Sequence, residues 1–183
     1  MLTAIILLPL LGAIAIALLP RNSVRGVKWT AALFSAVSLL VSLVVFAQFD
    51  RSATGVQFVE RFDWIPSIGV QYFLGVDGLS LPMVVLTTLL TFLAVLGSWN
   101  PITNRLKEYY ALLLLLEVGI LGVFASLDLL LFFLFWEVEL IPMYLLISVW
   151  GPNPARREYA ALKFVLYTVF GSALMLVGIL TLY

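Results

Sequence analysis

Six apolar runs, each close to the length a helix needs to cross a bilayer, leave this chain few ways to fold. They cover residues 2–19, 27–48, 79–98, 109–127, 129–149 and 159–183. A hydrocarbon core about 30 Å thick takes roughly 20 helical residues. Inside it every backbone amide must find its partner within the protein, which only helices and closed barrels provide. The runs are continuous rather than alternating, so the chain reads as all-α, a polytopic transmembrane bundle of about six spans. Composition agrees, with 63% hydrophobic and 11% charged residues and a mean hydropathy of +1.14. Six spans consume nearly all 183 residues and leave nothing for a soluble domain.

The first run lacks the basic leader of a secretory signal; its basic cluster follows the apolar stretch, so it is read as a retained span. Orientation comes from the loops, because Lys and Arg collect on the cytoplasmic side. Arg21, Arg25 and Lys28 follow span one, Arg105 and Lys107 follow span three, and Arg156 and Arg157 follow span five. The other side receives Asp50, Arg51, Glu60, Arg61, Asp63, Asp77 and Asp128, a net acidic set. This alternation places the N-terminus outside, with a bacterial inner (cell) membrane as the expected location.

The longest connection, residues 49–76, is too polar to span and too rich in aromatic and β-branched residues for a slack linker. Residues 56–60 and 69–74 flank Trp64-Ile65-Pro66-Ser67, which predicts a short surface hairpin acting as a structural lid. Asp77 or Ser80 then caps span three, and Pro82 sits in its first turn, where a missing N–H does no harm.

The chain has no Cys and no His, which removes disulfides and the commonest ligands of haem, zinc and iron–sulfur clusters. Redox cofactors are therefore expected elsewhere. A net charge of +0, without a continuous basic patch, argues against nucleic acid. No glycine-rich phosphate loop, nucleophile–base pair or metal-ligand cluster is apparent.

Of ten acidic residues, Glu117, Glu137 and Glu139 fall inside spans, and Lys163, about a turn and a half into span six, is their one basic counterpart there. An ionisable group at that depth costs roughly 2.5–3.5 kcal/mol on insertion scales, which makes it a functional candidate by default. Burial and a mobile neighbouring charge can bring Glu and Lys towards the range where each exchanges a proton. All four are candidates for proton transfer, with Glu137 the strongest; the competing reading is a static buried ion pair or interhelical hydrogen bond. Glu137 and Glu139 lie about 200° apart around a helix and must meet different neighbours. Pro142 deprives the Val138 carbonyl of its helical hydrogen bond and should open the helix near the two acids. Trp29, Trp99 and Trp150 read as interface aromatics. Gly119, Gly122 and Ser126, with Gly171 and Gly178, read as close-packing positions.

These residues also form recognisable strings. Gly75-Val-Asp77-Gly78-Leu-Ser80-Leu-Pro82, with Leu86-Thr-Thr-Leu-Leu-Thr91 and Ser98-Trp99, resembles the opening of the third helix in the antiporter-like subunits of respiratory complex I. The stretch from Gly122 to Trp136-Glu137, then Leu140-Ile-Pro142-Met-Tyr144, Trp150-Gly151 and Ala161-Leu-Lys163-Phe-Val-Leu-Tyr167-Thr168, is similar to the chain M (chain 4) type, which the Pro-Met-Tyr favours over chains L and N.

The resemblance implies a membrane-arm subunit of a proton-translocating NADH:quinone oxidoreductase, with Glu137 as the essential helix-five glutamate and Lys163 as a helix-six lysine. NADH, FMN, iron–sulfur clusters and quinone would belong to partner subunits, with no cofactor in this chain; other membrane-arm subunits, including related antiporter-like chains, would be its partners. Members of the family resemble a 14-helix inverted-repeat fold, so residues 1–108 would form a three-helix N-terminal segment and 109–183 the start of the first repeat. The rest of that fold, including the broken seventh helix whose lysine partners Glu137, would be a further part of the chain or a second polypeptide. The alternatives are a related cation/proton antiporter or membrane-bound hydrogenase subunit, or a non-transporting membrane scaffold.

Overall fold

The computed structural model describes residues 1–20, 23–53, 55–66 and 69–182. Arg21 of the first basic loop, Ser67 of the expected turn and Tyr183 at the end of span six lie outside them. Six helices form where the apolar runs predict: α1 Leu2–Leu18, α2 Val24–Gln48, α3 Ser80–Gly97, α4 Leu106–Ala125, α5 Leu129–Trp150 and α6 Arg157–Leu180. Five are long and apolar enough to cross a membrane, while α1, at 17 residues, is slightly short of that length and packs among them. The chain is an integral membrane protein.

The hairpin also forms, with strands longer than expected: β1 Gln57–Ile65 pairs antiparallel with β2 Val70–Val76. Trp64 and Ile65, placed between the two expected strands, extend β1 instead, and Ile65 pairs with Val70. The register slips between the Gln57–Val76 and Glu60–Leu74 pairs. There Phe58 adopts φ +55°, a conformation that a bulky side chain reaches only when its surroundings hold it. The inner face of β2 is what keeps the hairpin down. Leu74 and Val76 are fully buried, the Leu127 amide donates to the Phe73 carbonyl at 2.9 Å, and the Gln71 amide donates to Asp128 Oδ2 at 3.2 Å.

Local chemistry explains the helix starts on this side. Asp77 Oδ1 accepts from the Leu79 and Ser80 amides at 3.0 and 2.7 Å, and Ser80 Oγ accepts from the Asp77 amide at 3.0 Å. Both residues named as alternative caps thus act together, a reciprocal cap at the entrance to α3. These amide donors hold the Asp77 carboxyl below its ordinary value. Asp128 Oδ1 likewise accepts from the Leu130 and Leu131 amides and caps α5.

At the opposite end the loops after α1, α3 and α5 come together. Lys28 donates to the Trp99 carbonyl, Lys107 to the Leu19 carbonyl at 2.6 Å, and Trp150 Nε1 to the Asn104 carbonyl at 3.0 Å. Trp29 meets Trp99 edge-on at 5.6 Å, and Trp150 meets Tyr109 at 5.3 Å. The interface aromatics are therefore a clustered belt at the basic end of the bundle.

Packing inside follows depth. Leu2, Ile5, Val45, Leu81, Leu121 and Leu131 belong to an apolar layer under the hairpin. Ile16, Val27, Ala31, Val95, Tyr110 and Leu114 belong to a second one near the basic end. Between them α2, α3 and α4 turn polar: Ser35, Ser38, Ser42, Thr88 and Glu117 are all fully buried. Without a hydrophobic drive between helices in lipid, such interior contacts rely on close packing and interhelical hydrogen bonds. Ser42 and Thr88 form one, at 2.8 Å.

Candidate functional site

Glu137 lies eight residues into α5 and so, at 1.5 Å per residue, roughly 12 Å below the hairpin side. It is half-buried, and its Oε1 is buried without a hydrogen-bond partner. Glu139, two residues on, looks the other way, as the helical angle requires. Its backbone presses on Gly119 of α4, and its side chain lines a cavity of about 440 Å³ between α4, α5 and α6, alongside Leu116, Ile120, Phe164 and Thr168.

The Gly119 and Gly122 pair makes this approach possible. A Cβ on Gly119 would stand 2.7 Å from Glu139 Cβ and 3.0 Å from its Cα and backbone N, and one on Gly122 would run into the Phe135 ring. The close-packing reading holds for these two glycines. It fails within the described residues for Gly171 and Gly178, where an added Cβ would meet nothing within 4 Å. Both lie on α6, whose main neighbour among the described helices is α5. Pro142 is buried within α5 and leaves the helix continuous from Leu129 to Trp150, so the expected opening does not break it. Pro9 is accommodated in α1 in the same way.

Lys163 is not brought to the acids. It is exposed on α6, with Nζ 6.0 Å from the Tyr159 ring centre and 5.9 Å from that of Tyr167, a cation held over two aromatic faces one turn either side. Among the described residues the one ion pair joins the Met1 amine to Glu60, whose carboxylate also accepts from Thr3. That pair fastens the hairpin to the start of α1, far from the buried acids.

Glu117 is the most deeply buried of the four candidates, fully enclosed at the α2-facing side of α4, with neither oxygen hydrogen-bonded. Beside it stands the Ser38 hydroxyl, also fully buried and also unsatisfied. Sequence reading missed Ser38. Its signal was available: Ser35, Ser38 and Ser42 recur at i, i+3 and i+7 in an otherwise apolar span, which puts three hydroxyls on one helix face.

Fold and buried acids together define the class, a multi-span membrane bundle that holds ionisable groups within the bilayer. Residues 1–124 match the family described as NADH-ubiquinone oxidoreductase chain 4, amino terminus, and residues 126–183 match NADH:quinone oxidoreductase/Mrp antiporter, TM. The chain belongs to the NADH-ubiquinone oxidoreductase chain 4 family.

Its relatives include an NAD(P)H-quinone oxidoreductase chain 4 1 of Synechococcus elongatus, 48% identical over 99% of this chain and 34% of that one. A chloroplastic NAD(P)H-quinone oxidoreductase chain 4 of Mesostigma viride is 43% identical over 96% of this chain and 34% of that one. The chain thus spans about a third of the length of the curated relatives it matches. A chain of respiratory complex I from Thermus thermophilus superposes with a TM-score of 0.78 at 30% identity, covering 94% of this chain and 33% of that one. A chain of the membrane-bound sulfane sulfur reductase, an archaeal respiratory membrane complex, shares the fold, with a TM-score of 0.80 at 23% identity over 97% of this chain and 36% of that one.

Proposed function

We propose that the chain serves in the membrane arm of an NAD(P)H-quinone oxidoreductase and takes part in proton translocation, driven by electron transfer in other subunits. The observation that carries this is Glu137: a carboxyl in the middle of a bilayer-spanning helix, with one oxygen buried and unpartnered. A purely structural acid at such depth would be offset by a cation or a set of donors. A group that takes up and gives back a proton needs neither in every state.

In this reading Glu137 is the exchanging group. Glu139, facing the cavity between α4, α5 and α6, is a second acid on the opposite side of the same helix, and Glu117 a third within the α2–α4 layer. Lys163 supplies a cation at the edge, whose movement towards or away from α5 would change the proton affinity of the acids. The chemistry on this chain is proton transfer only. NADH, FMN, iron–sulfur clusters and quinone are assigned to partner subunits, consistent with the redox role in the relatives' names. The partners are other membrane-arm subunits, related antiporter-like chains among them.

The basic ends of α2, α4 and α6 face the cytoplasm and the hairpin faces outwards, so the N-terminus is outside, in a bacterial inner membrane. Residues 1–108 act as the N-terminal three-helix segment and 109–183 as the start of the first antiporter-like repeat. The test is affinity capture of the whole native protein from solubilised membranes. Recovery with flavin- and iron–sulfur-bearing subunits supports the assignment; recovery without them points to an antiporter or a scaffold and defeats it.

A further inference from the structure

The polar layer between the two apolar layers is unexplained by a site centred on α5. On α2 the buried residues run Val27, Ala31, then Ser35, Ser38, Ser42, then Val45; on α4 they run Tyr110, Leu114, then Glu117, then Val118 and Leu121. On α3 they run Val84, then Thr87, Thr88 and Thr91, then Val95. Three neighbouring helices thus change from apolar to polar and back at matching depth. The result is a slab of hydroxyls and one carboxyl, closed above and below by aliphatic side chains.

Most of the hydroxyls are satisfied. Ser35 donates to the Ala31 carbonyl at 2.9 Å, Thr87 to the Met83 carbonyl at 2.8 Å, and Ser42 and Thr88 bond each other. Among the described residues of the layer, Ser38 and Glu117 hold the buried side-chain atoms without a partner, and they are side by side. Among the described residues no charged group pairs with the carboxyl from the elements packed on α4. α1 carries no ionisable side chain, and α3 carries none either. On α2, Lys28 is spent on the Trp99 carbonyl at the basic end, and Arg25, about a turn nearer that end, is exposed. Glu139 of α5 packs against Gly119, on the other side of α4, Glu137 lies about 200° from it around α5, and β2 contributes no charge.

We infer that Glu117 and Ser38 form a second, occluded proton-binding pair, in which the Glu117 carboxylic acid donates its O–H to Ser38 Oγ while the layer is closed. A carboxylate in such a place would stand uncompensated in hydrocarbon, whereas an acid and a hydroxyl satisfy each other. Neither apolar layer lets the proton leave. Exchange requires α2 and α4 to part enough to admit water, at which point the O–H bond breaks to water and the proton returns by the reverse step. The pair is structurally separate from Glu137, and only its use during turnover rests on the proton-translocating reading above.

Infrared difference spectroscopy on the assembled complex in proteoliposomes tests this, with the protonated carboxyl C=O band as the readout. At rest the band should be lost in Glu117→Gln, shifted in Ser38→Ala and retained in Glu137→Gln; under turnover with NADH and a quinone it should change in the unsubstituted complex. A resting spectrum unaltered by Glu117→Gln, or indifferent to Ser38→Ala, overturns the pair. A resting band that responds to both substitutions but stays constant through turnover overturns its role in exchange. Should Glu117→Gln fail to assemble, Ser38→Ala decides the pairing alone. Loss of pumping in Glu137→Gln reports on the α5 acid and leaves these bands where they are, so the two readings fail separately.

Discussion

Replacing Gly119 by Ala probes the contact that sets the distance between α4 and α5. The new methyl would lie 2.7 Å from Glu139 Cβ and 3.0 Å from its Cα and backbone N. To regain a carbon–carbon separation of about 3.5 Å, α5 must withdraw by about 0.8 Å. Two of the three atoms met are backbone, so no side-chain rotation relieves them. Overpacking of this kind costs about 1–3 kcal/mol. Ala also favours a helix over Gly by up to about 1 kcal/mol, which would mask part of the effect. Gly178→Ala supplies the correction, because it carries the same propensity change with nothing within 4 Å of the added carbon. Reversible SDS unfolding in mixed micelles should therefore place Gly119→Ala below Gly178→Ala by about 1–3 kcal/mol. Equal stabilities, or a more stable Gly119→Ala, would refute the claim that bare backbone on α4 is what admits Glu139.

Three further outcomes follow from named contacts. Thr88→Val removes the bond to Ser42 with little change of shape, and by the same unfolding assay should cost about 0.6 kcal/mol, the mean for hydrogen bonds between membrane helices. Asp77→Ala should cost about 1 kcal/mol through loss of the α3 cap, seen as faster amide exchange at Leu79 and Ser80. Because the Asp77 carboxyl is depressed below 3.8, its contribution is fully present above that value and is lost as the pH falls through the native one; solvent screening of this exposed group keeps the effect small. Amide protection at the start of α3, taken relative to the intrinsic exchange rate at each pH, should accordingly fall at acid pH in the unsubstituted chain and show no such fall in Asp77→Ala.

How much of this was legible in the sequence depended on which force decided each feature. The helices were, because length and hydropathy alone select a span, and boundaries moved by three residues or fewer. The hairpin was legible in kind but not in extent: β1 runs on through Trp64 and Ile65 because β2 is anchored to the α4–α5 connection, a tertiary contact that local propensity does not encode. Glu137 stood out by depth. Ser38 did not, since a serine in an apolar span gains meaning only when helix rotation turns it towards Glu117, and hydropathy carries no rotation. Residue type was equally silent on direction at Lys163, a proton-transfer candidate, and at Gly171 and Gly178, read as packing positions. On α6 the Lys163 amine stands over the Tyr159 and Tyr167 rings, and a Cβ on either glycine meets nothing within 4 Å among the described residues.

Glu137 as a proton-exchanging acid is the feature on which the proposed function turns. The measurement that meets it most directly is the number of protons moved per NAD(P)H oxidised by the assembled complex in sealed vesicles, with and without Glu137→Gln. An isosteric amide keeps the shape of the site and removes its proton. Pumping should fall or vanish while the complex remains whole; an unchanged proton yield in an intact complex would show that the acid is structural and contradict the central claim.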